Sequence, residues 1–141
     1  MSNISKAKNI LTNGNYSCVA YSDLDTLTSK KRGVKPLIEW LERSINLENY
    51  YIADKVVGKG AAFLYIKLNT KNIYAFVISK PALTLLENNG INVEYDACVP
   101  FIKSRDGIGF CPIESAVLHT ENTDEAIALI IKKLKNLTKE K

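Results

Sequence analysis

The sequence is poor in the residues that hold metals and disulfides. It has one histidine, His119, and three cysteines, Cys18, Cys98 and Cys111, no two of which stand two residues apart. Zinc sites need Cys and His ligands at short, paired spacings, so no metal and no cofactor is expected. An odd number of scattered cysteines, without a basic-then-apolar leader, points to reduced thiols in the cytoplasm rather than to a disulfide framework. Long apolar runs are also missing: the longest, residues 60–66, falls far short of the ~20 residues that span a bilayer, so no membrane partner is expected. Four prolines and seven glycines in 141 residues, with 46% hydrophobic and 24% charged side chains, exclude collagen-like, low-complexity and disordered chains. The length suits a single domain over residues 1–141.

The net charge of +4 is mostly terminal, with Lys132, Lys133, Lys135, Lys139 and Lys141 in the last ten residues. Cations there complement the C-terminal end of a helix dipole. No basic surface interleaved with aromatics accompanies them, so no nucleic-acid partner is expected.

Apolar periodicity places a helix at residues 2–11, stopped by Asn13-Gly14-Asn15. Residues 16–21 and 26–29 are β-prone around the turn Asp23-Leu24-Asp25 and read as a hairpin. Residues 34–43 form a second helix, with Pro36 in its first turn and Leu37, Trp40 and Leu41 on its buried face. Residues 56–66 are apolar nearly all round and long enough for a buried helix, with Gly58 and Gly60 leaving room for a close approach. A core strand (73–78), a short helix (81–88) closed by Gly90 and another strand (91–95) then alternate as β-α-β, which requires parallel pairing. The segment 99–110 has no period, Pro112 and Glu114 open a helix after Cys111, and Asn122 with Glu125 forms a capping box for the last helix. Ile127, Ile130, Ile131, Leu134 and Leu137 make its buried stripe, and Cys18 and Cys98 are assigned to the core. The expected fold class is a three-layer α/β/α domain with a central mixed sheet.

Familiar catalytic motifs are absent. Val57-Gly58-Lys59-Gly60 lacks both the first glycine of a phosphate loop, where Ala53 stands, and the Ser or Thr after its lysine. His119 alone does not make a Ser-His-Asp triad. What remains is a set of candidates. Lys55 and Lys59, four apart, share one face near a helix start whose free N–H groups favour anions, with Asp54 just before them as an N-cap or an acid. Cys111, at a helix start that favours thiolate, is the candidate nucleophile, and Glu114 lies in the first turn of the same helix. Arg105 and Asp106 lie in a glycine-rich connection with Gly107 and Gly109.

The order of elements resembles the cytidine-deaminase-like fold. In that fold two helix starts converge on a pocket with His-x-Glu and Pro-Cys-x-x-Cys motifs that hold zinc. The corresponding stretches here are Asp54-Lys55-Val56-Val57-Gly58-Lys59 and Ser79-Lys80-Pro81-Ala82, which carry neither motif, so the resemblance implies the fold without the zinc chemistry. Three stretches together are more specific: residues 29–37, residues 53–62, and Arg105-Asp106-Gly107 with Cys111-Pro112-Ile113-Glu114. By these the chain is similar to an uncharacterised prokaryotic group, the domain of unknown function 1893 family, over nearly its whole length.

The sequence therefore suggests a binding domain for a small anionic or nucleotide-like ligand, held by Gly58, Lys59, Arg105 and Asp106. The alternative is a zinc-independent enzyme of transferase or hydrolase type, using Cys111 with Lys55, Asp54 or Glu114. Such an enzyme would parallel the formyltransferase of purine synthesis, which shares the deaminase-like fold without zinc. A structural subunit of a homo-oligomer is a third class. On topological grounds, Asp54, Lys55, Lys59, Arg105, Asp106, Cys111 and Glu114 are expected in one pocket beyond the carboxyl ends of the parallel strands.

Overall fold

The computed structural model describes residues 2–103 and 111–139. Helix α1 (Asn3–Asn13) begins on Ser2, whose hydroxyl accepts from the Ser5 N–H, and ends on Gly14. The left-handed residue of this stop is Asn15, at φ 53°, a residue type that tolerates that conformation. Strands β1 (Cys18–Tyr21) and β2 (Thr26–Ser29) form the expected hairpin. Helix α2 (Lys35–Glu42) carries Pro36 in its first turn and buries Leu37 and Trp40.

The largest departure from the predicted order lies at residues 51–66. Instead of one buried helix, the chain makes strand β3 (Tyr51–Val57), turns at Gly58 and then enters helix α3 (Lys59–Lys67). β3 is the middle strand of the sheet and is covered on both faces, so its apolar residues do not alternate with polar ones as those of a half-exposed strand do. Ile52 joins the core cluster that holds Cys18 and Ala20, while its neighbour Ala53 joins a second cluster with Ala7, Leu11 and Val19. Asp54 is therefore a mid-strand residue and not a helix cap. Lys55 lies in the same strand and shares no helix face with Lys59.

The chain continues through β4 (Asn72–Ser79), α4 (Lys80–Asn88), β5 (Asn92–Val99), α5 (Pro112–Val117) and α6 (Thr123–Lys139). The sheet order is β2-β1-β3-β4-β5. β1 runs antiparallel to β2 and β3, and β3, β4 and β5 are parallel. Helix α1 packs against β1 and β3 on one face. Helix α3 lies on the other with α2 and α4 beside it, and α5 and α6 pack onto α3. The result is a three-layer α/β/α fold.

Three smaller expectations are corrected. Cys98 is exposed on β5 rather than buried, because β5 is an edge strand of the sheet and α4 is the described helix that packs most against it. Ile131 is 36% exposed, so the buried stripe of α6 runs through Ala126, Ile127 and Ile130; the side chain of Leu137 lies outside the described residues. The capping box at α6 is half made: the Glu125 N–H donates to Asn122 Oδ1 at 2.8 Å, but the Glu125 carboxylate accepts from the Thr120 hydroxyl at 2.9 Å instead of returning to Asn122.

Candidate functional site

Helix α3 starts without a side-chain cap of its own, because its N-cap is Gly58. The missing acceptor comes from another helix. Both carboxylate oxygens of Glu114, on α5, accept from the Lys59 N–H at 2.7 and 2.6 Å, and Oε2 also accepts from the Gly60 N–H at 3.3 Å. The Ser79 hydroxyl donates to the same carboxylate, while its oxygen accepts from the Ala82 N–H at 3.3 Å and so caps α4. Glu114 thus bridges the starts of α3 and α4, where partial positive charge gathers. Burial pushes its carboxyl above the ordinary glutamate value, and the bonds from the Lys59 and Gly60 N–H groups and from Ser79 pull it back.

Small residues make this contact feasible. A Cβ at Gly58 would stand 1.9 Å from Glu114 Oε1, and one at Gly60 would stand 2.6 Å from Ile113 Cγ2. Gly60→Ala is expected to force α5 away from α3 and to cost about 1–3 kcal/mol, the usual range for overpacking, measured by urea denaturation. A loss below about 0.5 kcal/mol would mean that α5 yields freely, since substitutions outside such contacts stay within that range.

Lys59 contributes its backbone rather than its cation to this arrangement. Its ammonium is buried, donating to the Leu118 carbonyl at 3.0 Å and pairing with Glu121 at 3.4 Å. Cys111 is the half-buried N-cap of α5. Its N–H donates to the Ile102 carbonyl at 3.0 Å and its own carbonyl accepts from the Ser115 N–H.

Asp54 and Lys55 lie elsewhere and apart. The Asp54 side chain is buried against α3, where Oδ2 accepts from the Tyr65 hydroxyl at 2.6 Å; that hydroxyl lies 3.2 Å from Cys18 Sγ. Asp54 Oδ1 accepts from the Val56 N–H at 3.2 Å. Desolvation raises the Asp54 carboxyl to about 7, against the opposing bonds from Tyr65 and from the backbone. The Tyr65 hydroxyl and the Cys18 thiol are pushed well above their ordinary values by burial and by Asp54. Lys55 instead reaches Asn15, after α1, with Nζ 3.2 Å from Oδ1. The sequence signal for the Asp54 group was faint: tyrosine at 65 reads as one more large apolar side chain until the fold sets its hydroxyl on a carboxyl.

An open, mainly apolar cleft of about 590 Å³ lies at the carboxyl ends of the parallel strands, lined by Val56, Val77, Val99, Pro100, Phe101, Ile102 and Lys103. Asp54, Lys55, Lys59, Cys111 and Glu114 are not among its described lining residues. Arg105 and Asp106, with Gly107 and Gly109, lie outside the described residues. Among the described residues no three His, Cys, Asp or Glu side chains gather as metal ligands would, and no helix is long and apolar enough to cross a membrane.

These features define a three-layer α/β domain with an internally capped helix start and an open cleft at the carboxyl ends of its parallel strands. The chain belongs to the family described as a domain of unknown function (DUF1893), whose model matches residues 6–134. It is similar to a DUF1893 family protein from Thermotoga maritima of known crystal structure, at 37% identity and a TM-score of 0.87. The match covers 93% of this chain and 89% of that one. A comparison with curated proteins found no match.

Proposed function

We propose that the protein is a deaminase-like binding domain without zinc, taking a small anionic, nucleotide-like ligand in the cleft at the carboxyl ends of β3, β4 and β5. The cleft carries the reading. Its volume suits a small molecule, its walls are apolar enough for a base or an aromatic ring, and Lys103 supplies a cation for an anionic group. The sheet order, with β1 antiparallel to its neighbours, supports the deaminase-like assignment. A zinc ion does not fit at the two helix starts that hold it in deaminases. The carboxylate present there is that of Glu114, and both its oxygens are engaged by the Lys59 N–H.

A thermal-shift screen against nucleoside monophosphates and aromatic carboxylates tests the reading. A ligand at 100 times its Kd adds about 2.7 kcal/mol of stability. Val56→Trp, at a half-exposed wall position, is expected to abolish that shift while leaving the free protein folded, and Lys103→Ala to weaken it. An undiminished shift in Val56→Trp would remove the cleft as the site.

One observation favours a catalytic version: Glu114, a buried carboxyl held above its ordinary value, stands three residues after Cys111 on the same short helix. This version keeps Cys111 as nucleophile, with Glu114 anchoring the helix it opens, and leaves out Asp54 and Lys55, which point away from each other. Cys111→Ser distinguishes the two: it would leave a pure binding domain's ligand shift intact and stop any turnover of that ligand.

A further inference from the structure

The two edges of the sheet are unequal. β2 is four residues long and runs into Lys30, Lys31 and Arg32, the short, charged ending by which natural sheets discourage edge pairing. β5 is eight residues long, is the last strand of the sheet among the described residues, and exposes Glu94, Tyr95, Asp96, Ala97 and Cys98 in succession. It contains no proline, and its charges are two carboxylates. A long outer edge of this kind presents a row of backbone donors and acceptors to a further strand.

We propose that the β5 edge pairs with β5 of a second copy of this chain, antiparallel about a two-fold axis at Ala97. Two-fold pairing sets each residue opposite its mirror about the axis. An axis at Tyr95 would put Glu94 against the partner's Asp96, and an axis at Asp96 would oppose two copies of that carboxylate. Like charges directly opposite each other destabilise a pair. An axis at Ala97 avoids both and pairs residues 95–99 of each copy, with Pro100 ending the ladder. It sets Tyr95 opposite the partner's Val99, an aromatic and β-branched pair of the favourable kind, and does so twice by symmetry. Moving the axis to Cys98 shortens the pairing to residues 97–99. The charge pattern of the strand thus leaves one register in which a second copy pairs at full length without opposed carboxylates. Because Val99 also lines the cleft, the partner's Tyr95 stands at its rim, and the dimer and the ligand site are neighbours.

Sedimentation velocity at about 100 μM, corresponding to weak-to-moderate self-affinity, is expected to give twice the monomer mass for the wild-type chain. Ala97→Lys, at an exposed position, sets two ammonium groups opposite each other and is expected to halve that mass. In a Cys98→Ser background, Ala97→Cys is expected to form a disulfide-linked dimer under mild oxidation, whereas Glu94→Cys in that background is not. A monomeric wild type, a dimer that survives Ala97→Lys, or equal cross-linking at 94 and 97 would each overturn the proposal. The measurement uses no ligand, so failure of the cleft reading leaves it standing.

Discussion

Replacing Glu114 by alanine is expected to destabilise the protein by about 3 kcal/mol, the scale for leaving buried polar groups unpaired at a former charged acceptor. The carboxylate takes the Lys59 and Gly60 N–H groups and the Ser79 hydroxyl, at a helix start whose own N-cap has no side chain. Glu114 is only 7% exposed, so water does not easily replace it. Glu114→Gln keeps one oxygen acceptor but brings an NH₂ toward N–H donors, and is expected to recover less than half of the loss. Chemical denaturation of both variants measures this. If Glu114→Ala lost less than about 1 kcal/mol, an ordinary cap contribution, the bridge between α3 and α4 would be dispensable.

The second large effect is one of pH. Asp54 titrates at about 7 in the fold, against about 3.9 in an unfolded chain. Between those values the folded state binds the extra proton, so stability falls as pH rises from about 4 to about 7 and is level above that. The full difference is about 3 pH units, or on the order of 4 kcal/mol. The groups facing Asp54 are the Tyr65 hydroxyl from α3 and the Cys18 thiol from β1, both held neutral at these pH values. No cation offsets the buried charge among the contacts of its carboxylate. Asp54→Asn removes this term, so wild type should lose about 4 kcal/mol relative to it between pH 4 and pH 8. Parallel pH profiles for the two proteins would show that Asp54 stays ionised throughout.

The fold was largely legible along the chain. The Asn13-Gly14-Asn15 stop, the hairpin about Asp23-Leu24-Asp25, Pro36 in the first turn of α2 and the β-α-β alternation after residue 72 are local signals, carried by backbone preference and short-range periodicity. β3 was not legible, since a strand buried on both faces and a buried helix are both runs of apolar residues. That single ambiguity displaced Asp54 and Lys55 in the expected site. Lys59 and Glu114, both expected to face a ligand, meet instead through the lysine's backbone N–H, and the anion at the helix start is the protein's own carboxylate.

By itself the sequence determined the α/β class, the family and most of the element order, because caps, turns and periodicity act over a few residues. The tertiary structure alone decided which polar groups meet: Glu114 with the starts of α3 and α4, and Asp54 with Tyr65 and Cys18. Those partners are 11 to 55 residues apart. Gly58 and Gly60 make room for the contact and are visible in the sequence, but the meeting itself depends on the crossover direction and the sheet order, neither of which is a property of any short stretch of chain.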